Sequence, residues 1–232
     1  LQKQPENIVK FADNLNKEHP NNVLALSFLV QAQLANKSHR TLEKTLKKII
    51  KLNDSDSEHR LLLAKLFFKQ HKLKASIDVL DELINKQPKN PKAYIEKVRY
   101  LVASKEIKKA LQVTNVVEQT FPEHSIAAHL KGDIYHENKN FTDAIKYYKQ
   151  AYLLQPINIL LYKVVDTMFL NNEKSSAVQW LNEKLSKDND NAAIRLRLAG
   201  AYETLNETEK AIEQYKILLK QKPNNALLLN NL

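Results

Sequence analysis

The stretch KGDIYHENKNFTDAIKYYKQAYLLQP, residues 131–156, decides the fold. Its Ala144, Tyr148 and Ala151 fall at i, i+4 and i+7, which places them on one face of an α-helix. The residues NKN at 138–140 interrupt the apolar pattern with turn formers. The spacing predicts a first helix over 125–137, a turn at 138–140 and a second helix over 141–154.

Working outward, Pro88, Pro122 and Pro156 are each 34 residues apart, and Pro20 lies two such periods before Pro88. Pro223 falls one residue short of two periods after Pro156, so one residue is missing in the loop after Pro156. A fixed period of this length marks a repeat array. Proline cannot continue a helix and restricts the residue before it, so it serves as punctuation. Twelve residues before these prolines stand Ile8, Ser76, Ala110, Ala144 and Ala211, most of them small enough to let two helices cross closely. Twenty-one before the later prolines stand Phe67, Leu101, Tyr135 and Tyr202, and eight before stand Leu80, Thr114, Tyr148 and Tyr215. Each unit is therefore a pair of amphipathic helices joined by a short turn.

The set Gly132, Tyr135, Ala144, Tyr148, Ala151 and Pro156 resembles the tetratricopeptide repeat at all six of that family's signature positions. Ala199, Tyr202, Ala211, Tyr215 and Pro223 resemble it again, with Leu218 in place of the second alanine. The expected repeats are 23–56, 57–90, 91–124, 125–157, 158–191 and 192–225. An orphan second helix is expected over 5–19 and a truncated first helix over 226–232. The chain opens at Leu1 and both ends read as incomplete, which suggests an internal section of a longer protein. The segment KPNNALLLNNL, 222–232, resembles long bacterial repeat proteins, including those of exopolysaccharide and protein-sorting systems at the cell envelope. Two units depart from the pattern. The first has Leu42 in the small slot and Asp54 in the proline slot, and the fifth has Lys184 and Asn189. Looser packing between the fifth and sixth units is the expectation.

The resemblance implies an all-α, right-handed superhelical solenoid of antiparallel helix pairs, one array over 1–232. First helices would line a concave groove, and the function would be recognition of a protein or peptide segment. The groove candidates are Leu61, Lys65, Phe68, Ile95, Arg99, His129, Asp133, His136, Tyr162, Asp166 and Phe169. Such a groove is basic toward its N-terminal half and acidic from the fourth unit. In the alternative, Arg99 and Asp133 pair across adjacent repeats and the aromatics pack between neighbours.

Composition narrows the chemistry. The chain has 232 residues and a net charge of +10, but only five of its 36 basic residues are arginine. Lysine excess without arginine argues against sequence-reading nucleic-acid contacts. A polyanion-binding array, for RNA or acidic polysaccharide, is the second functional reading. There is no cysteine, hence no disulfide and no thiolate metal site. Two separated glycines cannot form a P-loop or a dinucleotide fingerprint, so no enzyme activity, cofactor or metal is expected. His129, Asp133 and His136 share a helical face at spacings that can chelate a metal, and a polar groove patch is the preferred reading. Trp180 reads as a core aromatic. The longest apolar run, VLALSFLV at 23–30, is too short to span a bilayer. The ends, around Ile8, Val9 and Phe11 and around 227–232, read as sticky and suggest end-to-end self-association.

Overall fold

The computed structural model describes residues 4–221, and among them are thirteen α-helices and no strand. After α1 (Gln4–Glu18) they follow in pairs. These are α2 (Val23–Ala35) with α3 (His39–Leu52), α4 (Ser57–Lys69) with α5 (Leu73–Lys86), and α6 (Pro91–Ala103) with α7 (Ile107–Thr120). Then come α8 (Ile126–Glu137) with α9 (Phe141–Leu154), α10 (Asn158–Leu170) with α11 (Lys174–Lys187), and α12 (Ala192–Thr204) with α13 (Thr208–Gln221). The helix expected over 226–232 lies outside the described residues.

Asparagine explains where many helices start. The side-chain oxygens of Asn22, Asn90, Asn140 and Asn191 accept backbone N–H bonds at the first turns of α2, α6, α9 and α12, and Asp56 does the same for α4. These bonds satisfy donors that have no partner within the helix. Between the members of each pair, one residue turns the chain through the left-handed region: Lys37, His71, Lys105, Lys139, Asn172 and Asn206. At His71 the neighbouring bonds are Lys72 N–H to Phe67 O and His71 N–H to Phe68 O, both 3.0 Å, which closes the end of α4. The missing residue of the period is found between α9 and α10, which are joined by 155–157 alone.

From the second repeat onward the period positions are core positions, whereas Ile8 of α1 is exposed. Ser76, Ala110, Ala144 and Ala211 are buried, and the Ser76 hydroxyl donates to Ala64 O at 2.8 Å. Phe67, Leu101 and Tyr202 are buried, as are Leu80, Thr114, Tyr148 and Tyr215, while Tyr135 is half-buried.

The chain forms two compact units, the first running to Thr120 and the second starting at Phe121. In the first, Leu26, Leu42, Leu46, Ile49, Leu63 and Phe67 knit α2, α3 and α4 together, and Ala64, Leu80 and Tyr100 join α4, α5 and α6. In the second, one continuous core runs from Ala144 in α9 to Leu218 in α13. That core corrects the expectation of loose packing between α11 and α12. Leu181 and Leu185 are buried there beside Ile194 and Leu198, so Lys184 is not asked to fill the seam. Its ammonium lies 5.5 Å from the Trp180 ring centre and bonds Glu183 at 3.1 Å. The aliphatic stem covers apolar surface while the charge stays wet. Trp180 is itself a core residue, with Tyr152 edge-on at 5.4 Å.

In the first unit α4 touches α6, and in the second α10 touches α12. No two second helices are in comparable contact among the described residues. Within each unit, then, the first helices form the closer rank.

Candidate recognition surface

The closer rank of first helices in the first unit carries a cleft of about 550 Å³. It brings together four of the sequence-predicted residues, Leu61 and Lys65 from α4 with Ile95 and Arg99 from α6. Leu34 of α2 and Tyr100 of α6 add to its apolar wall. Phe68, also predicted, does not line the cleft; it stacks on Tyr100 with ring centres 4.3 Å apart and planes 8° from parallel. Burial and the neighbouring Glu96 hold the Tyr100 phenol well above its ordinary pKa, so it stays neutral. Arg99 bonds Glu96 on its own helix at 2.7 Å. Lys65 and Lys92, both exposed, line the same cleft and have no ion-pair partner among the described residues. The result is an apolar floor with exposed lysines at its rim, in a cleft that Glu58 and Glu96 also line.

The second unit is built differently. Its predicted acids are held by the next first helix along. Asp133 of α8 accepts from Lys163 of α10 at 2.6 Å and from the Tyr148 hydroxyl at 2.7 Å. Asp166 of α10 pairs with Arg197 of α12. Both cations also lie over aromatic faces, Lys163 over Tyr148 at 5.1 Å and Arg197 over Tyr162 at 5.3 Å. Burial draws the Arg197 pKa down, and the Tyr162 phenol opposes this. The acidic face read from sequence is therefore neutralised by an internal ladder of charge pairs. Phe169 and Tyr162 are half-buried and pack against the core of this unit.

The His129, Asp133 and His136 trio does not converge. His129 Nε2 is 3.6 Å from Asp133 Oδ2, and the His136 ring packs against Phe141 and Tyr148 with centres at 5.6 and 6.4 Å. Among the described residues, no group of three or more His, Asp or Glu side chains is placed to hold a metal. Burial pushes the His129 pKa down, and Asp133 only partly offsets it.

Sequence reasoning missed Lys163 and Arg197 as ladder members. A signal was present, since each follows its acid by 30 or 31 residues, three or so short of a full repeat. In the first unit the same offset separates Lys65 from Glu96 with the signs reversed, but there Glu96 pairs with Arg99 of its own helix instead. Tyr100 was missed because it stands one residue beyond Arg99 on α6, and Leu34 because no groove candidate was named in the first repeat, although it holds the same place there as Phe68 does in the second.

Comparison with known proteins fits this geometry. Residues 20–171 match the tetratricopeptide repeat-like domain, and residues 175–230 match the tetratricopeptide repeat. No curated protein matches. Among solved structures, the chain is similar to one in the Cut9–Hcn1 hetero-tetramer of the APC/C, with 14% identity and a TM-score of 0.52. That match covers 98% of this chain but only 45% of the other. A tetratricopeptide repeat protein from Parabacteroides merdae is similar at 11% identity and a TM-score of 0.57, covering 96% of this chain and 89% of that one. The pilF protein of Pseudomonas aeruginosa is similar at 16% identity and a TM-score of 0.53, covering 94% and 97%. At such identities these structures speak for the fold alone. With paired helices, a repeating small-and-aromatic core and a family match over more than half its length, this chain belongs to the tetratricopeptide repeat family.

Proposed function

We propose that this chain is a protein-interaction module whose recognition surface is the first-helix cleft of its first unit. Tetratricopeptide repeats generally mediate protein–protein interactions, and they are typically scaffolds without catalysis. The observation that carries the finer reading is an asymmetry. The second unit's groove charges are engaged in the Asp133–Lys163 and Asp166–Arg197 pairs, whereas Lys65 and Lys92 have no ion-pair partner among the described residues and stand at an apolar floor. A segment of a partner protein could bury an apolar side chain against Leu61 and Ile95, as interface anchors do. Acidic groups beside it would meet Lys65 and Lys92, which favours register and encounter more than raw affinity. The module would scaffold a larger assembly as part of a longer repeat protein.

The test is capture from source-cell extract, after nuclease treatment, at two salt concentrations. The bait is this chain beside a variant with Leu61, Lys65, Ile95 and Arg99 all changed to Ala. A protein retained by the first and lost by the second is expected. Equal retention by both would overturn the cleft as the recognition surface.

A second reading has one observation behind it. Lys44, Lys47, Lys48 and Lys51 crowd the outer helix α3, with Glu43 the only acid there. Such a row suits a polyanion, RNA or acidic polysaccharide. Binding of that kind would weaken steeply with salt and ignore the cleft substitutions.

A further inference from the structure

Most joints between successive pairs share one tight turn whose second residue is the proline slot, the shortened α9–α10 joint at Pro156 being the exception. The turn closes with Asn22 N–H to His19 O at 3.1 Å around Pro20, and with Asn90 N–H to Gln87 O at 3.0 Å around Pro88. The same turn closes around residues that are not proline. Asp56 N–H donates to Asn53 O at 3.1 Å around Asp54, and Asn191 N–H to Asp188 O at 3.2 Å around Asn189. Proline favours this place because its ring fixes φ where the turn needs it. At the two joints without it, something else must limit the chain.

Six residues after each of these two slots stands a buried arginine that reaches back to it. Arg60 is 2% exposed, and its Nη2 donates to the Asp54 carboxylate at 2.7 Å. Arg195 is 8% exposed, and its Nη2 donates to the Asn189 carbonyl at 2.7 Å. The equivalent residues after Pro20 and Pro122 are Leu26 and Ala128. After Pro88 it is Tyr94, whose hydroxyl donates to the Pro88 carbonyl at 3.1 Å. In these units, arginine stands at this place only where proline is missing. A buried guanidinium is costly unless it is bonded, so its position is set by what it holds.

We propose that Arg60 and Arg195 are tethers that replace proline at the α3–α4 and α11–α12 joints, fixing the turn from the following helix. The two tethers differ in their acceptors. Arg60 holds a side chain, and Asp54 is shared with Lys86 of α5 at 2.5 Å. Lys47 of α3 and Asp78 and Glu82 of α5 line the cleft beside Arg60, and the Asp56–His59 pair sits in the next turn at 2.8 Å. Arg195 holds a backbone carbonyl and bonds Gln214 of α13 at 2.8 Å, so no titratable group takes part. Both slots can accept proline, because Asn53 and Asp188, which precede them, have φ of −130° and −146°.

The experiment is amide hydrogen exchange on the full chain, followed at the two joints in single and paired variants. Arg60→Leu and Arg195→Leu should each speed exchange at their own joint by about tenfold or more, the scale of a lost buried charge-assisted bond. Adding Asp54→Pro to Arg60→Leu, or Asn189→Pro to Arg195→Leu, should restore most of the protection. Asp54→Pro alone should speed exchange, because it strands Arg60. Asn189→Pro alone should not, because proline keeps the carbonyl that Arg195 holds. If an arginine variant fails to fold, recovery of folding in its proline pair becomes the readout. Unchanged exchange in the arginine variants, or no rescue by proline at either joint, would overturn the proposal.

Discussion

Gly132 and Gly200 stand in first helices two repeats apart, and the structure assigns them opposite tolerances. A Cβ on Gly132 would run into the Tyr148 ring, while a Cβ on Gly200 would meet open space. Gly132→Ala should destabilise by about 1–3 kcal/mol through overpacking, despite alanine's better helix propensity. Gly200→Ala should stabilise by up to about 1 kcal/mol. Chemical denaturation of the two variants checks both signs. His129 supplies a pH prediction. Its folded pKa lies below 6.5, so the unfolded chain binds the proton more readily. Stability should therefore fall as pH drops through the range just below about 6.5. His129→Gln should flatten that slope in denaturation curves taken from neutral to mildly acidic pH; an unchanged slope would remove His129 as the cause. At this scale the sequence was half legible. The small slot at Ala144 followed from the period, because a buried crossing tolerates little volume, while Gly132 was read from the family resemblance. The pairing of Asp133 and Asp166 did not, because it depends on side chains arriving from a helix 30 residues away.

The elements themselves were legible, since the 3.6-residue face pattern and the proline punctuation both act locally. The expected helix over 141–154 is α9, and the expected turn at 138–140 separates it from α8. What the pattern hid was turn chemistry. With only two glycines, neither of them at positive φ, the left-handed turn residue is lysine, histidine or asparagine. Lysine gains nothing from that conformation, whereas asparagine tolerates it. Lys105→Gly should therefore stabilise the chain by about 0.5–1 kcal/mol, and Asn172→Gly should be near neutral. Thermal melts of the pair would show it, and equal shifts would contradict it. The asparagine caps make a companion case. Asn140→Ala removes the acceptor for Asp143 N–H and should cost about 1 kcal/mol. The weak α11–α12 seam expected from Lys184 and Asn189 was misread for a physical reason. A one-residue slot was judged by its own volume, while Leu185 and the Arg195 tether supply what it lacks.

For the whole molecule, the period was enough to identify a repeat array, because each repeat must bury its faces against its neighbours. Function was less legible, because groove-facing residues carry no periodic constraint. Their charges acquire meaning only once it is known which are paired. No described helix is long and apolar enough to cross a membrane. At the first helix the exposed Ile8 and Phe11 keep end-to-end association open to measurement by light scattering, where growth in mass with concentration is the expected result. The central claim is that the cleft between α2, α4 and α6 contacts the partner. The most direct measurement is site-specific photo-crosslinking in source-cell extract, with the crosslinking residue placed at Ile95 in the cleft or at Lys44 on the outer helix α3. A discrete protein adduct through Ile95, absent from Lys44 and lost when Leu61 and Lys65 are changed to Ala, is the predicted result. An adduct through Lys44 with none through Ile95 would contradict the account and move recognition to the lysine-rich outer surface.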